Sequence, residues 1–165
     1  MTPTDPHRGI LRCGDSEFPC ALGRAGVSAE KREGDGATPA GEFALRRVLY
    51  RPDKFRKIET LLPIAALDRA DGWCDDPADK FYNRQVRLPY RARCERLWRD
   101  DGLYDIIVVL GHNDQPVVSG MGSAIFLHVA QPDFAATEGC IALRLPDLLA
   151  VLRTATPGDK LSVAG

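Results

Sequence analysis

The run Asp105-Ile106-Ile107-Val108-Val109-Leu110, closed by Gly111, most constrains what this chain can become. Its large aliphatic residues leave a strand with no polar face, so the strand must lie inside a sheet with layers on both sides. Other segments supply neighbours. Glu42 to Tyr50 reads as a strand with Phe43, Leu45 and Leu49 on one face and Arg46 on the other. Ser123 to Ala130 reads as a strand with Ser123, Ile125, Leu127 and Val129 on one face, and Ala124, Phe126, His128 and Ala130 on the other. Leu61 to Leu67 reads as an edge strand, because Pro63 interrupts it. A turn at Thr156-Pro157-Gly158-Asp159 leads into a closing strand, Lys160 to Ala164. Two short helices are expected. Arg91 to Asp100 places Cys94, Leu97 and Trp98 at i, i+3 and i+4, and Pro146 to Arg153 has its proline in the first turn. The first forty residues read as consecutive polar turns, and residues 68–90 as a long loop of the kind that serves as a lid or binding loop. The pattern predicts a mainly β domain with a few short helices, a sandwich or barrel-like body.

A length of 165 residues with no repeat or low-complexity linker predicts a single domain. Lys+Arg 22 against Asp+Glu 23 excludes the basic excess of a phosphate-backbone binder, so no nucleic-acid partner is expected. No apolar run is long enough to span a membrane, and the polar N-terminus shows no secretory h-region, which leaves the compartment open. A monomer is expected. The five cysteines, at 13, 20, 74, 94 and 140, include no CxxC pair, so a zinc ribbon or thioredoxin-type site is not predicted.

Chemistry concentrates near the end of the Ser123–Ala130 strand. His128 is followed twelve positions later by Cys140, behind Gly139. Thiol catalysis uses the thiolate, and a free thiol with a pKa of about 8.5 is only slightly ionised at neutral pH. An imidazole in reach can hold the thiolate as an ion pair and later protonate a leaving amine. Gly139 permits a sharp turn, and the amides of Gly139 and Cys140 are candidate oxyanion donors. On spacing alone, a lone cysteine on an apolar segment is more often a small core residue and a lone histidine on a strand more often a hydrogen-bonded structural one.

The order of motifs goes further. Thr137-Glu138-Gly139-Cys140-Ile141-Ala142-Leu143 after a histidine strand resembles the signature of the L,D-transpeptidase (YkuD-like) family. Gly34-Asp35-Gly36-Ala37-Thr38-Pro39-Ala40-Gly41-Glu42-Phe43 resembles that family's early turn and strand, and Pro157-Gly158-Asp159-Lys160-Leu161 its closing turn. The resemblance runs from about Gly26 to Ala164. It implies a β-sandwich or barrel with Cys140 in a groove under a flap, and a cysteine acyl-enzyme formed from one peptidoglycan stem peptide and passed to the amine of a second. It also implies no metal or cofactor, and a histidine oriented by a backbone carbonyl, which leaves Asp114 and Asp133 without a triad role. By resemblance the substrates lie in the periplasm or cell envelope, while the missing signal leaves a cytoplasmic place open. The same chemistry with water as acceptor would give an L,D-carboxypeptidase, and the same fold without chemistry a peptidoglycan-binding module.

Three positions depart from the family pattern: Glu138 replaces a usual His, Ala142 a usual Arg or Asn, and Val129 a usual Gly. They leave nucleophile and base in place and bear on recognition. Thr137 and Glu138 beside the thiol, His112 after the central strand, and Trp73, Tyr82, Asn83 and Arg84 in the long loop are the candidate substrate contacts; Arg87 is a further candidate for a stem carboxylate. A solvated arginine and a plain loop histidine are the alternatives. Cys94 is expected as helix-face packing. Cys13 and Cys20 are either exposed thiols or a disulfide, and Cys74 is either structural or near the groove.

Overall fold

The computed structural model describes residues 5–165. Its strands are β1 (Arg8–Cys13), β2 (Ser16–Ala21), β3 (Val27–Ser28), β4 (Thr38–Pro39), β5 (Gly41–Tyr50), β6 (Ile64–Ala66), β7 (Asp71–Cys74), β8 (Arg84–Arg87), β9 (Cys94–Arg96), β10 (Ile106–Leu110), β11 (Phe126–Val129), β12 (Ile141–Leu143) and β13 (Lys160–Val163). One α-helix, α1 (Leu145–Thr154), is found among the described residues. Eight strands form the main sheet, in the order β1-β2-β12-β11-β10-β5-β13, with β6 beside β5. A three-stranded sheet, β8-β7-β9, stands apart from it.

β10 is the central strand that its composition demands, fully buried between β5 and β11. Its two faces found two cores. Ile106, Val108 and Leu110 pack with Leu127, Ile141 and Leu143 and with Leu148, Val151 and Leu152 of α1. On the opposite face Ile107 and Val109 pack with Trp73, Leu97, Tyr104, Phe126 and Cys140. Each such side chain, once buried, stabilises the fold by roughly 1.5–3 kcal/mol. α1 starts at Leu145-Pro146, where proline's fixed φ and missing N–H are tolerated, and it carries Asp147 in its first turn and Arg153 in its last, complementing the helix dipole.

β11 and β12 run parallel between antiparallel neighbours, with Leu127 opposite Ile141 and His128 opposite Ala142. A parallel pair needs a connection that returns to the starting end, and residues 130–140 make it. Phe134 pins that connection. Its ring is buried between the guanidiniums of Arg8 and Arg144, at 5.3 and 5.0 Å.

Several expected elements differ. Residues 68–90 are not one loop but contain β7 and β8, joined by a turn. Arg91 to Asp100 is not a helix. Cys94 to Arg96 pairs as β9 with β7, and the Leu97 amide donates to the Asp71 carbonyl at 3.0 Å, so sheet pairing overrides the helical spacing. The 123–130 strand is shortened to Phe126–Val129, because Ala124 adopts a left-handed φ of 52°. The first forty residues are more than turns: β1 and β2 form a hairpin with all six residues of each in register, and they edge the main sheet. All five cysteines are free. Cys74 and Cys94 stand directly opposite each other on β7 and β9.

Candidate active site

The parallel register of β11 and β12 decides where the chemistry sits. Phe126 is level with Cys140, and its amide lies 3.4 Å from the Cys140 Sγ. Alternation then puts Phe126, His128, Cys140 and Ala142 on one face. This is the face of the second core, and it opens between the main sheet and the β8-β7-β9 sheet. Cys140 is reached through Gly139, whose φ of 132° suits glycine; a Cβ there would come within 2.8 Å of the Ala37 carbonyl oxygen. Thr137 ties the turn, accepting from the Gly139 amide at 3.1 Å and donating to the Cys140 carbonyl at 2.6 Å.

The Cys140 thiol donates to the Ala124 carbonyl at 3.1 Å. His128 Nδ1 lies 2.8 Å from the Val129 carbonyl. A carbonyl only accepts, so Nδ1 carries the proton and the Nε2 lone pair is left for other work. Burial pushes the thiol up to about 12, assisted by the negative charge of Glu95 and opposed by the Phe126 amide, Lys31 and the Tyr104 hydroxyl. Burial likewise drives the imidazole down to about 4. Both groups are therefore neutral near pH 7, and among the described residues no thiol–imidazole hydrogen bond joins them. The ion pair that an imidazole in reach can form with a thiolate gives way here to a neutral pair, because burial disfavours both charged forms.

A groove of about 630 Å3 carries both groups. Tyr104 meets the His128 ring edge-on at 5.2 Å and donates to Glu95 Oε1 at 2.6 Å, while the Arg99 guanidinium lies 5.1 Å over the Tyr104 ring. Lys31, Arg93 and Arg99 face Glu33, Asp75, Glu95 and Glu138 around the lining, so the groove carries charges of both signs.

Of the expected substrate contacts, Thr137 and Glu138 line this groove. Glu138 points outward, 79% exposed, and pairs with Arg24 at 3.0 Å. Trp73, Asn83, Arg84 and His112 instead border a second cavity of about 460 Å3, and Tyr82 lies outside both. Asp75 is the only residue of 68–90 that lines the thiol's groove. The others support it from behind. Trp73 packs edge-on against Phe126 at 5.1 Å, Tyr82 donates to Glu33 at 2.5 Å, and Asn83 accepts from the Ala124 amide at 3.1 Å. His112 is held through Nε2 at 3.0 Å from the Met121 carbonyl. Arg87 pairs with Asp68 and Asp71. Asp114 pairs with Arg46, and Asp133 caps the Ala135 amide.

Sequence reasoning missed Lys31, Glu95, Arg99 and Tyr104. Lys31 lies in the first forty residues, read as consecutive polar turns, and Glu95 and Arg99 fell within the expected helix. Only Tyr104 had a usable signal, since the start of the central strand must lie beside the end of an antiparallel neighbour.

A β-rich body with a thiol and a carbonyl-oriented imidazole on one groove face has the parts that thiol acyl transfer requires. The family model for YkuD, the L,D-transpeptidase catalytic domain, matches residues 14–163, and the chain belongs to that family. The family's chemistry is directed at peptidoglycan. No curated protein and no solved structure matches the chain.

Proposed function

We propose that this chain is a single catalytic domain that joins peptidoglycan stem peptides as a cysteine L,D-transpeptidase at the cell envelope. The observation that carries the reading is the placement of Cys140 and His128 on one face of adjacent parallel strands, with His128 Nδ1 engaged by the Val129 carbonyl. The thiol leaves the Ala124 carbonyl and gives its proton to Nε2 as the donor stem displaces water. Sulfur attacks the scissile carbonyl, and the imidazolium protonates the departing amine. The amine of a second stem then takes the acyl group from sulfur, with His128 as base. The Gly139 amide is bound to Thr137 Oγ1, so among the backbone donors the Cys140 amide is the one left to receive the oxyanion.

Ala142, almost fully buried, offers only a methyl group where a guanidinium is usual, and Glu138 is turned outward onto Arg24. Neither grips a donor carboxylate, so dependence on the donor's free C-terminal carboxylate is expected to be weak and the choice of donor bond to be set elsewhere in the groove. Incubation with purified muropeptides followed by mass spectrometry tests the reading. Cross-linked dimers support it, trimmed monomers assign an L,D-carboxypeptidase, and an unchanged profile refutes catalysis. Amidated and shortened stems in the same assay test the donor.

A further inference from the structure

We propose that Lys31 is a catalytic residue of this site, its ammonium donating to the oxygen of the tetrahedral adduct that forms at Cys140. The proposal rests on the reading of Cys140 as the nucleophile. Lys31 is a charged side chain buried to 6% exposure, lining the same groove as Cys140 and His128. Its path is built by two glycines. A Cβ on Gly122 would come within 3.0 Å of Lys31 Cγ and 3.1 Å of Cε, and a Cβ on Gly139 within 3.5 Å of Nζ. Gly122 and Gly139 both have positive φ, at 94° and 132°. The stem thus runs over Gly122 and delivers the ammonium against the residue before Cys140.

Asp35 is the only partner of Nζ among the described residues. The ammonium has three donors, so two are without a protein acceptor in a poorly solvated place. Holding the local turn does not require the lysine, because Asp35 already accepts from the amides of Arg32 and Ala37 at 2.7 and 2.8 Å. An unfilled cationic donor fixed beside a nucleophile is the arrangement that favours charge appearing during reaction over charge present beforehand. As sulfur bonds to the carbonyl carbon, the π pair moves to oxygen, and Lys31 N–H donates to that oxygen. When the C=O re-forms, the C–N bond breaks and the amine leaves with the His128 proton. Around the thiol, Lys31 and the Tyr104 hydroxyl favour the anion, Glu95 opposes it, and His128 is neutral.

Two reactions of Cys140 separate this role from a structural one without any peptidoglycan. Alkylation by iodoacetamide displaces iodide and makes no oxyanion, whereas acylation by p-nitrophenyl acetate passes through one. Rates are followed with modification mapped to Cys140 by peptide mass spectrometry, in wild type, Lys31→Met, Lys31→Arg and Asp35→Asn. Lys31→Met is expected to slow acylation at least tenfold more than alkylation, with Lys31→Arg recovering part of that difference. Asp35→Asn, which keeps the ammonium, is expected to leave the ratio of the two rates near wild type. Equal slowing of both reactions in Lys31→Met, or a ratio in Asp35→Asn shifted as far as in Lys31→Met, overturns the proposal. Where Lys31→Met does not fold, Lys31→Gln, which keeps a donor and loses the charge, replaces it under the same criteria. Failure of the nucleophile reading looks different: the acetyl group, with p-nitrophenolate released, is then found on wild type away from Cys140.

Discussion

Replacing Asn83 should unfold much of the wall behind the thiol. Its carboxamide accepts from Trp73 Nε1 at 3.0 Å and from the Ala124 amide at 3.1 Å, and donates to the carbonyls of His112 and Asn113 at 3.0 and 2.9 Å. Asn83 is buried and sits at φ 57°, where asparagine is better tolerated than most side chains. Removing the carboxamide strands two buried donors at roughly 1–3 kcal/mol each and removes a bond from each of two carbonyls at about 1 kcal/mol each. Asn83→Ala should then lose about 5 kcal/mol, with about 1 kcal/mol of further strain from alanine in the left-handed region. Asn83→Gly avoids that strain and should be about 1 kcal/mol the better of the two. Against a typical domain stability of about 5–15 kcal/mol the loss is large. Urea unfolding followed by circular dichroism measures it, with the m value held as a check on two-state behaviour. A loss under about 1.5 kcal/mol in Asn83→Gly would show that the four bonds are not what joins β7 and β8 to the Ala124 turn.

Cys140→Ala should abolish turnover and leave the fold intact, while Cys94→Ala keeps activity. Residual activity within about tenfold, roughly 1.4 kcal/mol of barrier, refutes the nucleophile. His128 adds a pH dependence. Burial lowers its pKa to about 4 in the folded protein, below the ordinary histidine value of about 6.5, so its contribution is complete above about pH 6.5 and is lost as pH falls through 4, for about 3 kcal/mol in all. Denaturation midpoints of wild type and His128→Asn between pH 7 and 4 check this, and parallel curves refute it. Cys74 and Cys94 form a non-hydrogen-bonded antiparallel pair, flanked by the bonded pair in which the Asp75 amide donates to the Arg93 carbonyl. Such Cα atoms lie about 4.5 Å apart, within disulfide range. Diamide should therefore oxidise them to a bond, each thiol losing a hydrogen and the azo reagent becoming a hydrazine. Mass mapping should find Cys74–Cys94 before any link to Cys13 or Cys20, and a different first link refutes the register.

The central strand was legible because five aliphatic residues in a row have few other places to go, and the order of motifs singled out the thiol and imidazole that the structure places on one groove. The small sheet was not. β8 buries only Val86, β7 opens with Asp71-Gly72, and β9 carries Glu95 and Arg96, so none of them shows the alternation that marks a half-buried strand. Their pairing is fixed by contacts from distant parts of the chain, such as Leu97 reaching Asp71. Trp73 and Asn83 read as groove residues because an aromatic and an amide in an expected loop suggest recognition. Instead Trp73 donates to the Asn83 oxygen, which also accepts from the Ala124 amide. Sequence spacing carries residue type but not the side of the wall on which a side chain falls.

The return segment between β11 and β12 gives the domain a replaceable doorway. Sulfur and imidazole are spaced by the ladder of the two strands, while Gln131, Ala135 and Ala136 of the segment form part of the entrance and belong to neither strand. With Phe134 clamped between Arg8 and Arg144, the residues on either side can be exchanged, enlarged or charged while the ladder stays in register. Access and reaction can thus be tuned separately: substitutions at positions 135 and 136 should change which stems are admitted, and the intrinsic reactivity of Cys140 should not follow.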